Sequence, residues 1–263
     1  MRRPVVALLS DFGTRDGYVA AMKGVLLRRA PDAELVDITH EIPPGDILAG
    51  AWVIASVWRF FPDRTVFLCV VDPEVGSGRR AVAFEREKKF GVGPDNGLFT
   101  LVLGEDRPDQ AAELTRREHW EEPTSTVFHG RDIFAPAAAS LARGARVDEL
   151  GDRLTSLRLL PLERPTRRED GSLEGHVIYI DGFGNAVTDI RGDLLPDAPI
   201  AVEVAGKRAA AFVRYYAEAP TDALVALVNS AGHLEFAVRG ASAAQVVGIE
   251  RGAAVRVSPI TAG

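Results

Sequence analysis

Residues 66–71, Val-Phe-Leu-Cys-Val-Val, form an unbroken apolar run that stops at Asp72-Pro73. A run with no polar side has no solvent face, so it reads as a strand buried on both faces, as in parallel sheets covered by helices. Pro73 cannot donate into a ladder and ends the strand. Gly76 and Gly78 let the next loop turn, and Arg79-Arg80 return toward the carboxylate. Asp72 is thereby delivered to the carboxyl edge of its sheet, where open α/β folds present ligands. On these residues alone, a ligand-handling acid and a strand end closed by a surface Asp–Arg pair carry equal weight.

The pattern recurs upstream. Val5 to Leu9 reads as a first strand ending at Ser10-Asp11; the run is too short for the apolar region of a signal peptide. A helix from Gly17 or Tyr18 to Arg29 follows, with a basic last turn that suits its dipole. Leu35 to Ile38 is a second strand, and Asp46 caps a helix over Ile47 to Phe60. Ala81 to Phe84 and Lys89 to Val92 read as strands joined by a charged turn, whereas 107–126 has no periodicity to assign. His129-Gly130-Arg131-Asp132 opens an Ala-rich helix running to Arg143, with Asp132 as its expected cap. Strands alternating with helices predict an α/β domain over 1–162 with a mostly parallel sheet. The charged stretch 163–174 reads as a linker. Beyond it, 175–263 carries short apolar runs between turns and no long helix, which predicts a smaller all-β domain, barrel or sandwich.

Composition narrows the function. A formal net charge of −6 over 263 residues argues against a nucleic-acid partner. Cys69, the single cysteine, lies inside the apolar run, so no disulfide framework and no thiolate zinc site can form within one subunit. No apolar stretch reaches membrane-spanning length, and the expected location is the reducing cytoplasm. Nucleotide and hydrolase signatures fail: Gly91 to Gly97 misses the GxGxxG register, and neither GxxxxGK[ST] nor GxSxG occurs.

Asp11, Asp72 with Arg79, and His129 remain as polar groups at strand or helix ends that could converge to hold and polarise a water. A metal site built from Asp11, Asp72 and His129 stays open on spacing alone, as does a purely structural hydrogen bond for His129. In the second half, Asp181-Gly182-Phe183-Gly184-Asn185 offers an aromatic face beside an amide, a pairing suited to a heteroaromatic base and equally to a hairpin turn.

Taken in order, SDFGTRDGYVAAMKG, VVDPEVGSGRR, GPDNGLFT, FHGRDIFAP, IDGFGNAVTDI and VNSAGHLEF resemble the S-adenosylmethionine hydroxide adenosyltransferases, the hydrolase branch of a family that also holds fluorinases and chlorinases. The resemblance implies attack of water or hydroxide at C5′ of S-adenosylmethionine, giving adenosine and methionine. It assigns Asp72, Arg79 and His129 to handling the water and Asp11 to gripping the ribose. Asp16, Asn96, Phe128, Asp181, Phe183, Asn185, Tyr216 and Ser230 are assigned to the rest of the substrate. It also implies a homotrimer or dimer of trimers with sites at subunit interfaces, with no cofactor and no metal. In the halogenases the position of Asp72 is a tyrosine and that of His129 a serine or glycine; a carboxylate there repels halide. Halogenation and non-catalytic binding of S-adenosylmethionine or adenosine are the alternatives. Two departures stand out: Glu74 where the family usually has glycine, so that a need for positive φ would displace the Arg79 loop, and Ala231 beside Ser230 where the fluorinase has arginine.

Overall fold

The computed structural model describes residues 3–104 and 106–260, and contacts divide the chain into two compact units, Met1–Leu160 and Pro161–Gly263. In the first unit the order is β1 (Val5–Ser10), α1 (Tyr18–Arg29), β2 (Glu34–Thr39), α2 (Ile47–Trp58), β3 (Val66–Val70), β4 (Ala81–Arg86), β5 (Lys89–Pro94), α3 (Thr100–Leu103), β6 (Gln110–Glu113), α4 (Ala135–Ala142) and β7 (Asp152–Arg153). These strands form one sheet in the order β2-β1-β3-β5-β4-β6-β7.

The sheet is mixed, which corrects the expectation of a mostly parallel one. Strands β2, β1, β3 and β5 pair in parallel, whereas β4, β6 and β7 are added antiparallel. The reversal follows from the tight turn at Glu87-Lys88, where both residues have positive φ, and so β5 folds back on β4 as a hairpin. The parallel half keeps the fully buried strand read from the sequence, since every residue of β3 is buried. Val66, Leu68 and Val70 face α1 and α4 with Met22, Leu26, Phe134 and Leu141. On the opposite face Phe67 stacks on Trp58 of α2 at 4.2 Å. Burial pushes the Cys69 thiol up, so it stays protonated filler.

Connectivity fixes the ligand position. From β1 the chain passes through α1 to β2 on one side, then through α2 across β1 to β3 on the other. The crevice beyond the carboxyl ends of β1 and β3 is therefore a topological switch point, where doubly wound sheets take their ligands. Asp11 follows β1 and Asp72 follows β3.

The second unit holds β8 (Thr166–Arg167), β9 (Leu173–Ile180), β10 (Ala186–Arg191), β11 (Ile200–Val204), β12 (Lys207–Arg208), β13 (Ala211–Phe212), β14 (Leu224–Val228), β15 (His233–Val238), the short helix α5 (Ala243–Val247) and β16 (Ala254–Pro259). Their order is β12-β11-β16-β9-β10-β15-β14-β13, with β8 on β9. The sheet curls, because the backbone N–H of Ala209 bonds Val202 of β11 at 2.8 Å while that of Ala210 bonds Leu224 of β14 at 2.7 Å. Phe236, Leu234, Val204 and Val257 fill this half-barrel. The stretch read as a linker, 163–174, contains β8 and the start of β9, which pair at Thr166 and Glu174.

Candidate active site

Asp72, Arg79 and His129 converge. Arg79 Nε lies 2.9 Å from Asp72 Oδ1 and 3.1 Å from Oδ2, and its Nη2 also bonds Oδ2. Both side chains are almost fully buried, 5% exposed for Asp72 and 4% for Arg79, so this is not the solvated pair that the strand-end reading required. Arg79 Nη2 also donates to His129 Nδ1 at 2.8 Å. A guanidinium has no acceptor, so Nδ1 must carry a lone pair and the ring proton sits on Nε2. Burial, and then the Arg79 charge, hold the His129 pKa below its ordinary value of 6.5, overcoming the opposite pull of Asp72 and Asp132. The Arg79 guanidinium also rests over the Phe134 ring at 5.2 Å.

The loops holding these groups brace each other. Gly76 has φ +81°, and a Cβ there would fall 2.8 Å from the Thr126 carbonyl oxygen, so the loop bearing Arg79 lies directly on the one leading to His129. Glu74 is not at positive φ and pairs with Arg158 at 3.4 Å, so the replacement of glycine there displaces nothing. His129 immediately precedes a π-helical turn, Gly130–Phe134, that runs into α4. Asp132 does not cap that helix: it lies buried inside the turn, bonds Arg131 and accepts the Ser125 backbone N–H at 2.8 Å.

Asp11 belongs to the same edge. Its Oδ2 accepts the Gly45 N–H at 2.8 Å. Burial, helped by the nearby Asp72 charge, raises its pKa, and hydrogen bonds from the Gly45 and Asp11 backbone N–H groups oppose the rise. Two carboxylates in one crevice make it a site for a cation. Phe128 packs edge-on against Tyr18 at 5.3 Å and Phe12 at 5.9 Å, an aromatic wall beside His129. Asn96 is buried, donating to the Val71 carbonyl at 2.9 Å and accepting from Leu98 N–H at 3.2 Å, so its amide holds the end of the central strand. Asp16 stands exposed on the loop before α1. Among the described residues no three His, Cys, Asp or Glu side chains are grouped as metal ligands.

In the second unit Asp181 organises its turn. Oδ1 accepts the N–H groups of Phe183 at 2.9 Å and Asn185 at 2.8 Å, and Oδ2 accepts the Asn185 amide at 3.2 Å. The turn leaves Phe183 83% exposed, which a ring closing the β core would not be. Tyr216 Oη donates to Glu235 at 2.6 Å, and Asn229 Nδ2 donates to the other Glu235 oxygen at 3.0 Å. Burial and then this bond raise the Tyr216 pKa, and the Asp181 charge adds to the rise, so the phenol stays protonated near the turn. Ser230 lies in the turn after Asn229, whose Oδ1 accepts the Ala231 N–H at 3.0 Å. Glu235 was not singled out from the sequence. Its signal was an acid between Leu234 and Phe236 in the apolar part of a strand, which demands a buried donor.

These features define a two-unit protein whose α/β half carries an acid, a guanidinium and an imidazole at its switch point, and whose β half offers an uncovered aromatic turn. Residues 6–151 match the SAM hydroxide adenosyltransferase N-terminal domain and residues 175–256 the C-terminal domain. The chain belongs to the SAM hydroxide adenosyltransferase family. It is 42% identical to an (R)-S-adenosyl-L-methionine hydrolase of Thermus thermophilus, over 97% of this chain and 99% of that one. It is 39% identical to a protein of the same name from Salinispora arenicola over 97% and 98%. A fluorinase of Actinopolyspora mzabensis is 31% identical over 97% of both. A crystal structure of an uncharacterized conserved protein from Thermotoga maritima superposes with a TM-score of 0.90 at 35% identity, covering 96% of this chain and 99% of that one.

Proposed function

We propose that this protein hydrolyses S-adenosyl-L-methionine to adenosine and L-methionine, acting on the (R) sulfonium form that its relatives' names specify. The observation that carries the reading is the buried Asp72–Arg79–His129 set at the switch point. Water attacks C5′ as the carbon–sulfur bond breaks, and sulfur keeps the electron pair to become the neutral thioether of methionine. The sulfonium is already an activated leaving group, so the residues need only align the water and receive its proton. Arg79 binds Asp72 through one edge, leaving carboxylate lone pairs to accept a water hydrogen and then the proton, which passes to solvent. His129 acts as an orienting donor through Nε2–H, because its lone-pair nitrogen faces Arg79. Asp11 grips the ribose hydroxyls, and the two carboxylates favour the cationic substrate over the neutral products. A halide would have to approach Asp72, which disfavours the halogenase reading.

Phe183 stacks on adenine, Asn185 and Ser230 hydrogen-bond the ligand, and Asp16, Phe128 and Tyr216 contribute to its remaining contacts, with Asn96 acting through the strand end it holds. No cofactor and no metal take part, and the location is cytoplasmic. The family resemblance and the exposed Phe183 and Tyr215 support a homotrimer, or dimer of trimers, in which the second unit of one subunit completes the site of its neighbour.

The test is incubation of the purified protein with each resolved sulfonium epimer, with and without chloride, read by chromatography and mass spectrometry. Adenosine and methionine are expected from the (R) form irrespective of chloride, and His129→Ala should lower kcat about 10²- to 10³-fold. Release from neither epimer would sink the hydrolase reading, and a chloride-dependent 5′-halo product would replace it.

A further inference from the structure

Behind Asp11 lies a second hydrogen-bond chain that the reaction does not use. Ser10 Oγ is 2.7 Å from His40 Nδ1, and His40 Nε2 is 3.1 Å from Asp37 Oδ1. Ser10 is completely buried and His40 nearly so, while Asp37 is 43% exposed at the far end and bonded to Lys23 at 2.6 Å. The residue types are those of a serine nucleophile triad. The burial forbids that role, because no substrate can reach Ser10 Oγ.

The chain has a direction. The Asp37 carboxylate only accepts, so His40 Nε2 must donate; against a burial penalty, bonds from Lys23 and His40 hold its carboxyl below the usual range. In the tautomer whose one ring proton sits on Nε2, Nδ1 accepts, which makes Ser10 the donor in that bond. The Ser10 oxygen is then free to accept, and it lies 3.4 Å from the Phe12 backbone N–H. The His40 carbonyl accepts the Gly13 N–H at 2.7 Å. Residues 10, 12 and 13 are thus pinned to one histidine, and the residue they enclose is Asp11.

We propose that Ser10, His40 and Asp37 form a buried directional relay that positions Asp11 for the sugar hydroxyls. They are positioning residues: the relay touches no reacting atom, and it fixes the backbone that aims one carboxylate. The inference rests on the reading of Asp11 as the ribose-gripping group. A group that aims a ground-state contact changes ligand selection more than turnover.

The experiment is calorimetric binding of adenosine and of 2′,3′-dideoxyadenosine, which lacks the hydroxyls, to the full chain and to Ser10→Ala, His40→Asn and Asp37→Ala. The unaltered protein should prefer adenosine. Ser10→Ala should reduce that preference about tenfold with dideoxyadenosine affinity unchanged, as expected for a misaimed hydrogen bond to a charged group. His40→Asn, whose amide oxygen can still accept from Ser10, should retain most of the preference. If Ser10→Ala does not fold, Asp37→Ala decides, because that side chain is partly solvated: it should lower the preference and move the His40 ¹⁵N signals away from the Nε2–H pattern. An unaltered protein that does not distinguish the two nucleosides would remove the ribose role of Asp11 and the relay with it. Preserved discrimination in folded Ser10→Ala or Asp37→Ala would overturn the relay alone.

Discussion

Arg79 can only donate, and that property constrains both its neighbours. Asp72 must accept from it and His129 must present a lone pair, so a protonated ring would meet a cation at 2.8 Å. Protonating His129 in the fold is therefore harder than in the unfolded chain, since burial and Arg79 depress its pKa. Below the ordinary value of 6.5 the unfolded chain binds the extra proton first. The stability contributed by the neutral ring is thus complete above that pH and is lost as pH falls from there toward the depressed folded value. His129→Gln, which cannot titrate and can still accept from Arg79, should lose less melting temperature between pH 7 and pH 5 than the unaltered protein. An equal loss in both would show that other groups carry the acid sensitivity. For the same reason the acid limb of kcat should lie below 6.5. A limb at or above that value would place a protonated His129 in the working enzyme. Asp72→Asn keeps the shape of the pair but removes the charge proposed to receive the proton, and kcat should fall about 10²- to 10⁴-fold with KM little changed.

Elements aim these residues, and they differ in how plainly the sequence announced them. β3 and β1 were legible because a strand buried on both faces needs an unbroken apolar run, and the acids that end them stood out against it. The helices α1 and α2 and the Asp46 cap were legible from period and chemistry, since Asp46 accepts the Ala49 N–H at 3.0 Å as an N-cap should. The direction of β4 and β5 was not, because apolar composition does not encode whether a neighbour runs parallel or antiparallel. β6 escaped because Gln110–Glu113 is too short to show alternation and is held by its place at the sheet. The π-helical turn after His129 escaped too, as one inserted residue leaves no period to read. Convergence itself was a matter of loop contact, and Gly76 tests it. Gly76→Ala would force a Cβ to 2.8 Å from Thr126 O in a left-handed backbone. It should destabilise by about 1–3 kcal/mol and lower kcat by separating Arg79 from His129. Unchanged activity in a folded Gly76→Ala protein would mean that the two loops do not depend on each other.

At the scale of the whole molecule, the proposed reaction would divide its chemistry between two folds. The first unit holds Asp11, Asp72 and Arg79 at a sheet edge, and the second holds an exposed aromatic ring, Phe183, on a turn of its β unit. A ring 83% exposed on a turn held by three hydrogen bonds is rigid and apolar at once, the condition of a surface prepared for contact. If that contact is with substrate held by a neighbouring subunit, damage in the two units must complement. Asp72→Asn disables the first unit of its own subunit, and Phe183→Asp, which removes the ring and brings a charge that must be desolvated, disables the second. Each protein alone should be nearly inactive. Co-refolded in equal amounts, they should regain about a quarter of full activity, because a site shared between subunits then draws an intact half from each side that often under random assembly. Sites completed within a single subunit would regain none, since every chain in the mixture carries one lesion. Light scattering on the same sample checks that oligomers formed, which separates failed assembly from failed sharing.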